Sequence, residues 1–170
     1  MAPLFLTRKL LPGMLECGCG HIVNIASMAG KKGIPYEVTY TASKTGLVEF
    51  SNALRTELEG TGVDASVICP VYVSRVGMFA VYEVPAPRLA GSISPQQVSK
   101  AVIRVIRQNI GELIVGPSPT RPLLALNALS PRLGDLIIKS MSVVKFQRRM
   151  ADDLESKDIN SVNKSNGFGI

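Results

Sequence analysis

Three polar side chains in the stretch SMAGKKGIPYEVTYTASK, residues 27–44, have types and spacing that suit proton-transfer chemistry. Tyr40 lies thirteen residues after Ser27, and Lys44 follows four residues later. Residues four apart share one face of a helix, so Tyr40 and Lys44 would project side by side. A nearby ammonium favours the phenolate and lowers a tyrosine pKa from its usual value of about 10. Such a tyrosine can exchange a proton with an alcohol or carbonyl oxygen, and a serine hydroxyl can donate a hydrogen bond to the same oxygen.

Hydrophobic periodicity predicts the elements that would position these residues. A helix over residues 4–14 stops at Gly18 and Gly20. HIVNIAS, residues 21–27, reads as a strand that is buried on both faces if its neighbours are helices. A helix then runs from about Val38 to Glu59. Its buried stripe is predicted to be Leu47, Leu54 and Leu58, and its solvent-facing side Glu49, Arg55 and Glu57. The strand therefore ends at Ser27, and the helix begins near Tyr40.

The rest of the chain continues the alternation of strands and helices. VDASVICP, residues 63–70, is a second strand, and GELIVGP, residues 111–117, is a third. Ser94 and Pro95 begin a helix that runs to about Gln108. Strands separated by helices imply right-handed crossovers and a parallel sheet, so the predicted fold class is α/β. The carboxyl ends of such strands are where ligands bind, and Ser27 lies there.

The three polar residues also have an interpretation without chemistry. Tyr40 and Lys44 can form an ordinary helix surface pair, with Ser27 starting a turn. The pair alone is weak evidence, because a Tyr and a Lys four apart occur by chance in many chains. The conjunction of a strand, a terminal Ser, a small-residue loop and YTASK opening a helix is the stronger signal.

Three segments, GHIVNIASMAG, YTASKTGLVEFSNALRTEL and GVDASVICP, resemble the catalytic half of the short-chain dehydrogenase/reductases, with a resemblance that covers residues 2–116. The resemblance implies an NAD(P)-dependent oxidoreductase on a Rossmann-like parallel sheet flanked by helices. It implies that Tyr40 is the acid–base residue, that Lys44 binds the nicotinamide ribose and lowers the pKa of Tyr40, and that Ser27 orients the reacting oxygen. It places Pro70 and Val73 against the nicotinamide amide. It also implies a homo-oligomer when the protein is intact.

The chain departs from this family in two ways. Val71 follows Pro70 where the family usually has Gly, which predicts a strained or altered turn. The strand, Gly-rich turn and helix that bind a dinucleotide are also missing, so only the second half of the doubly wound sheet is expected. We therefore expect an isolated fragment that is inactive alone, and NAD and NADP are not distinguished. The alternative is a non-catalytic remnant that binds a full-length relative.

Composition limits the other functional classes. The net charge of +6 comes with no Trp and no nucleic-acid motif, so nucleic-acid binding is not expected. Three Cys residues form no disulfide framework, and Cys17 and Cys19 lack the further ligands of a metal site. No signal peptide or membrane span is indicated, so a cytoplasmic protein is predicted. We predict one domain over residues 1–150 and a polar, disordered tail over residues 151–170.

Two segments bear on the substrate and on partners. The loop over residues 77–91 offers apolar side chains that would line a pocket for an apolar alcohol or carbonyl substrate, namely Met78, Phe79, Tyr82 and Val84. Residues 131–150 mix apolar and basic side chains. We expect a helix that covers the substrate pocket or a subunit contact, and contact with an anionic membrane surface is the less favoured alternative.

Overall fold

The structure is a computed structural model that describes residues 2–74, 91–116, 120–130, 132, 134–136 and 144–153. In chain order its elements are α1 (Ala2–Cys17), β1 (Gly20–Ile25), a 3₁₀ turn (Met28–Gly30), α2 (Val38–Glu57), β2 (Val63–Pro70), β3 (Tyr72–Val73), β4 (Ser92–Ile93), α3 (Pro95–Gln108), β5 (Glu112–Val115) and α4 (Thr120–Leu129). A further helical segment covers residues 144–153. The predicted alternation of helices and strands is therefore confirmed.

The main sheet is parallel and has the order β1-β2-β5. Ile25 of β1 stands opposite Ile68 of β2, and Pro70 of β2 stands opposite Val115 of β5. The carboxyl ends of the three strands therefore meet at one edge of the sheet. Within the described residues no strand pairs with the outer edge of β1.

Helices cover both faces of this sheet. Cys69 and Val67 of β2 pack against Leu47 and Val48 of α2, while Ile68 points to the other face. There it meets two further buried residues, Ala101 and Val105 of α3. Burying a large aliphatic side chain contributes about 1.5–3 kcal/mol, so these layers fix α2, the helix that carries Tyr40, against the sheet.

The predicted helix boundaries are close to those observed. Ser94 caps α3, and the side chain of Gln97 bonds back to the Ser94 backbone to complete a capping box. Helix α2 ends at Glu57, and Gly60 and Gly62 follow it with positive φ angles of 79° each. These are backbone conformations that Gly adopts without strain.

Two predictions about burial are wrong. Of the six residues of β1 only Asn24 is buried, and Ile25 is 41% exposed, because β1 lies at the edge of the described sheet. Arg55 does not simply face solvent. It donates to the carbonyl oxygen of Ala65 over 2.8 Å and to that of Asn109 over 2.9 Å, so it ties α2 to the strands.

The strain predicted at Val71 is also absent. Among the described residues other than Gly, only Tyr36 and Asn109 have positive φ angles, so Val71 has an ordinary backbone. The Val71 side chain occupies the space that a side chain at position 116 would need, because a Cβ at Gly116 would lie 2.7 Å from Val71 Cγ1. A glycine directly after the neighbouring strand β5 therefore makes the room that Val71 requires.

Several sequence predictions lie outside the described residues. They are the pocket loop with Met78, Phe79, Tyr82 and Val84, and the chain from residue 154 onward. The short strands β3 and β4 pair in parallel and were not predicted. In the part of the chain that the structure describes, no helix is long and apolar enough to cross a membrane.

Candidate active site

Ser27 lies two residues beyond the last residue of β1, at the carboxyl edge of the sheet. Its backbone is extended, and its side-chain oxygen accepts a hydrogen bond from the Ala29 N–H over 3.2 Å. The Gly30 N–H donates to the Ser27 carbonyl oxygen over 2.9 Å and closes the 3₁₀ turn. Because the Ser27 oxygen acts as an acceptor here, its own hydroxyl hydrogen stays available for donation to a ligand.

Tyr40 and Lys44 lie side by side on the first turns of α2, as their spacing predicted. The Lys44 Nζ is 5.7 Å from the centroid of the Tyr40 ring. It donates a hydrogen bond to the carbonyl oxygen of Ile25 over 3.1 Å. Lys44 therefore joins the tyrosine-bearing helix to the strand that leads to Ser27, and the structure brings the three predicted residues to one edge.

Burial governs the ionisation of the groups behind this edge. It lowers the pKa of the Lys44 ammonium, because a charged group loses hydration there. It also raises the pKa of the Cys69 thiol to about 12, although the Ser27 N–H and the two lysines Lys31 and Lys44 oppose the shift. Cys69 therefore stays a protonated thiol at neutral pH and serves as core packing rather than as a nucleophile.

Gly30 allows the turn after Ser27 to rest directly on α2. A Cβ at Gly30 would lie 2.7 Å from the Lys44 carbonyl oxygen and 3.0 Å from Val48 Cγ2. Any larger residue would push the turn away from the helix. The sequence patterns do not single out Gly30, although the segment MAG directly after Ser27 was an available signal.

The loop between Ser27 and Tyr40 is held by two lysines. Lys31 Nζ lies 2.9 Å from Glu112 Oε2, and Lys32 Nζ lies 2.9 Å from Asp135 Oδ1. The first pair is partly buried and joins the loop to β5. The second pair joins the loop to the segment that contains Asp135.

Pro70 and Val73 lie at the same edge as Ser27. Because Ile25 stands opposite Ile68, Ser27 and Pro70 each come two residues after a paired position. Val73 belongs to β3, where it pairs with Ile93 of β4. The segment predicted to border a nicotinamide therefore follows β2 directly and is held by a short ladder.

The helical segment over residues 144–153 packs beside this cofactor segment. Gln147 Nε2 donates to the Tyr72 hydroxyl over 3.2 Å, and the Phe146 ring meets the Tyr72 ring edge-to-face with centroids 5.4 Å apart. Phe146 and Met150 are buried, whereas Arg148 and Arg149 are exposed. Phe146 and Gln147 of this segment therefore pack against Tyr72, and the two arginines face solvent.

A comparison with known families agrees with the geometry. The sequence model of the family described as short chain dehydrogenase matches residues 1–83. Over these residues the chain is similar to the short-chain dehydrogenase family. The matched residues include Ser27, Tyr40, Lys44, Pro70 and Val73, which are the five site residues predicted from the sequence.

Similarity to curated proteins extends beyond residue 83. The chain is 45% identical to ketoacyl reductase HetN of Nostoc sp. over 158 residues, which are 90% of the chain and 55% of that protein. It is 31% identical to human 17-beta-hydroxysteroid dehydrogenase 13 over 156 residues, which are 90% of the chain and 50% of that protein. The chain thus spans about half the length of these two relatives.

Solved structures confirm the predicted Rossmann-like parallel sheet. Serine dehydrogenase from Escherichia coli is 34% identical and superimposes with a TM-score of 0.55 over 68% of the chain and 48% of that protein. The closed form of serine dehydrogenase complexed with NADP⁺ is 33% identical and superimposes with a TM-score of 0.57 over 68% of the chain and 51% of that protein.

Proposed function

We propose that this chain supplies the catalytic half of an NAD(P)-dependent oxidoreductase that interconverts an alcohol and a carbonyl by hydride transfer. The observation that carries the proposal is the placement of Lys44, with its ammonium 3.1 Å from the Ile25 carbonyl oxygen and 5.7 Å from the Tyr40 ring centroid. This contact supports the proposal, because it holds the Tyr40 ring and a cation beside Ile25, two residues before Ser27. Open α/β sheets bind their ligands at the carboxyl ends of their strands.

The residues present fit the nicotinamide end of such a cofactor. An ammonium has three N–H donors, and Lys44 gives one to Ile25, which leaves two for the hydroxyls of a ribose. Pro70 and Val73 would border the nicotinamide. The relative whose structure was solved with NADP⁺ supports this class of cofactor. The pyrophosphate end has no counterpart in the sequence, because Gly18 and Gly20 precede a strand where a phosphate-binding turn must follow one.

Each residue of the triad has a distinct role in the proposal. The bound cofactor supplies or accepts the hydride. In the reduction direction Tyr40 gives its hydroxyl proton to the substrate oxygen, and in oxidation it takes that proton back. Lys44 stabilises the negative charge that develops on the Tyr40 oxygen, and the Ser27 hydroxyl holds the substrate oxygen in place.

A dinucleotide-binding unit would complete the site along the free edge of β1. Ile25 on this edge is 41% exposed, and Phe5 and Leu6 of the neighbouring α1 are 63% and 60% exposed. An unpaired edge beside exposed apolar side chains is a surface that pairs with another strand. We infer that the chain alone lacks turnover and gains it when such a unit is joined.

The substrate in this proposal is a carbonyl or alcohol with apolar bulk. One relative is named a ketoacyl reductase and the other a hydroxysteroid dehydrogenase. A ketoacyl group and a hydroxysteroid each carry a carbonyl or hydroxyl on a largely apolar skeleton. The buried apolar side of the 144–153 helix next to Tyr72 is consistent with an apolar wall near the site.

A second candidate is a non-catalytic chain that binds a full-length relative through the β1 edge. The same exposed edge supports it. It differs from the first candidate because it gives Ser27, Tyr40 and Lys44 no task, so substituting them should leave binding unchanged.

A chimera separates the two candidates. The first half of the Nostoc relative is joined to Met1 of this chain, and NADPH oxidation is followed with a ketoacyl thioester, beside the unmodified 170-residue chain. The oxidoreductase proposal expects turnover by the chimera and none by the chain alone. A folded chimera that binds NADPH without turnover, while the chain alone captures the full-length relative, would favour the binding candidate.

Homo-oligomerisation, a cytoplasmic location and a domain boundary at residue 150 stay predictions. Contact of the basic helix with a membrane surface is likewise untested.

A further inference from the structure

We propose that Asn24 and Ser51 form a buried positioning pair that fixes α2 along β1 and thereby sets Tyr40 and Lys44 against Ser27. The inference rests on the proposed function, because it concerns residues that hold the proposed catalytic groups. Neither residue of the pair touches substrate or cofactor in this account. Their role is to position α2.

The pair is a directed chain of two hydrogen bonds. Asn24 Nδ2 donates to Ser51 Oγ over 2.9 Å, and Ser51 Oγ donates to the Leu47 carbonyl oxygen over 2.7 Å. Asn24 is 8% exposed and Ser51 is 1% exposed. Since the Ser51 hydrogen is given to Leu47, its oxygen is the acceptor for Asn24. A strand side chain is thus attached, through one hydroxyl, to the backbone of α2.

The surroundings of the pair are apolar. The residues two positions before and after Asn24 face the same side, and these are Ile22 of β1 and Ala26 directly after it; both join the hydrophobic clusters packed against α2. Two apolar side chains of similar volume would suit this interface, because replacing both partners of a buried hydrogen bond can be nearly neutral for stability. An apolar pair would not fix the position of α2 along β1. Packed methyl groups tolerate sliding, whereas a hydrogen bond of 2.9 Å fixes one axial position.

Axial position matters because the contacts at the site are close. Asn24 precedes Ser27 by three residues, and Ser51 follows Lys44 by seven, which is about two helical turns on the same face. At the site the Lys44 ammonium reaches the Ile25 carbonyl over 3.1 Å, and a Cβ at Gly30 would lie only 2.7 Å from the Lys44 carbonyl oxygen. A slide of α2 by about 1 Å would break the first contact or collide at the second, and shifts of this size can lower a rate by about 100-fold.

The test separates positioning from stability. We would compare the 170-residue chain with Ser51→Ala and with the double variant Asn24→Leu/Ser51→Ala. Ser51→Ala leaves the Asn24 amide buried without its acceptor, so its urea midpoint should fall. The double variant removes both polar groups, so its midpoint should return towards that of the unaltered chain.

The positioning readout is the side-chain NMR signal of Lys44 in protein labelled with ¹³C-lysine, assigned with Lys44→Met. We expect the Lys44 signal and its pH titration to be displaced in the double variant even though stability has recovered. Thr56→Ala is the matched control, because Thr56 Oγ1 makes the same type of bond to the Asn52 carbonyl, over 3.3 Å, on the exposed side of α2. This control should leave the Lys44 signal unchanged.

The outcomes are decisive and independent of turnover. A double variant with recovered midpoint and an unmoved Lys44 signal would show that the pair serves stability alone, which overturns the proposal. If Ser51→Ala does not fold, the double variant still carries the test. Loss of activity plays no part in this readout, so a failure of the oxidoreductase proposal would appear in the chimera assay and not here.

Discussion

Gly30 rests on the backbone of Lys44, where an added Cβ would lie 2.7 Å from the Lys44 carbonyl oxygen. The turn that follows Ser27 and the helix that carries Tyr40 are therefore in direct backbone contact. The relative position of the hydroxyl-bearing strand end and the tyrosine depends on this contact together with the Lys44 bond to Ile25.

Gly30→Ala should move the turn away from α2. We expect a loss of about 1–3 kcal/mol in the free energy of unfolding, which is typical when a side chain is forced into a packed site. Urea unfolding of the 170-residue chain measures it. Gly33→Ala is the control in the same loop, because a Cβ there meets Thr41 Cγ2 at an ordinary 3.8 Å. Equal losses in the two variants would contradict the account of Gly30.

Val71 and Gly116 should be coupled. Gly116→Ala would bring a Cβ to 2.7 Å from Val71 Cγ1, and Gly116 has no positive φ, so the expected destabilisation of about 1–3 kcal/mol comes from crowding. Adding Val71→Gly should recover part of that loss, which a double-mutant cycle of unfolding free energies would measure. If the two losses simply add, the side chains are not in conflict and the compensation described for Val71 is wrong.

His21 should make the fold sensitive to mild acid. Its Nε2 lies 2.7 Å from Ser66 Oγ, which donates to the Ile110 carbonyl oxygen, so Nε2 carries the hydrogen. Burial lowers the pKa of His21, Arg55 adds to the shift, and Asp64 opposes it. As the pH falls, the unfolded chain therefore binds the proton first. The stability contributed by neutral His21 is complete above about pH 6.5 and is lost between that value and the lowered folded pKa.

The measurement for His21 is the free energy of unfolding at several pH values between about 7.5 and about 5. His21→Asn should show a shallower decline, because Asn keeps a side-chain donor and does not titrate. A variant with the same decline as the unaltered chain would assign the acid sensitivity to other groups.

Lys44→Met should raise stability and abolish turnover. Burial lowers the pKa of the Lys44 ammonium, so at neutral pH the fold carries a charged group in an unfavourable environment. An apolar chain of similar length removes this penalty, and an increase in urea midpoint is expected for the chain, together with loss of NADPH oxidation in the chimera. A lower midpoint would mean that the bond to Ile25 outweighs the loss of hydration.

The features that the sequence predicted most accurately are those determined by residues close together along the chain. Strand β2 was predicted as residues 63–70 and the start of α3 at Ser94 and Pro95, because capping and apolar runs are local signals. The same holds for Tyr40 and Lys44, whose proximity follows from helical spacing alone. Strands β3 and β4 have two residues each and pair across eighteen intervening positions, so they show no periodicity that could reveal them.

Contacts between distant residues were beyond the sequence patterns. Asn24 reads as an ordinary strand residue until Ser51, 27 positions away, is placed opposite it. Arg55 reads as a solvent-facing helix residue until Asn109 appears beside it. Val71 in place of a glycine suggests a strained turn until the structure shows that Gly116 leaves space for the Val71 side chain. In each case the deciding partner comes from a different element, and only the packing of the elements brings it close.

Tyr40→Phe in the chimera tests the central claim most directly. The variant removes one oxygen atom from the proposed acid–base residue and leaves the ring beside Lys44, so folding and NADPH binding should be retained. The account predicts a fall in kcat of about 100-fold to 10,000-fold, the range typical for loss of a general acid–base group. Loss of a general acid–base group typically lowers kcat far more than about twofold. A variant whose kcat stays within about twofold of that of the parent chimera would therefore show that Tyr40 does not transfer the proton.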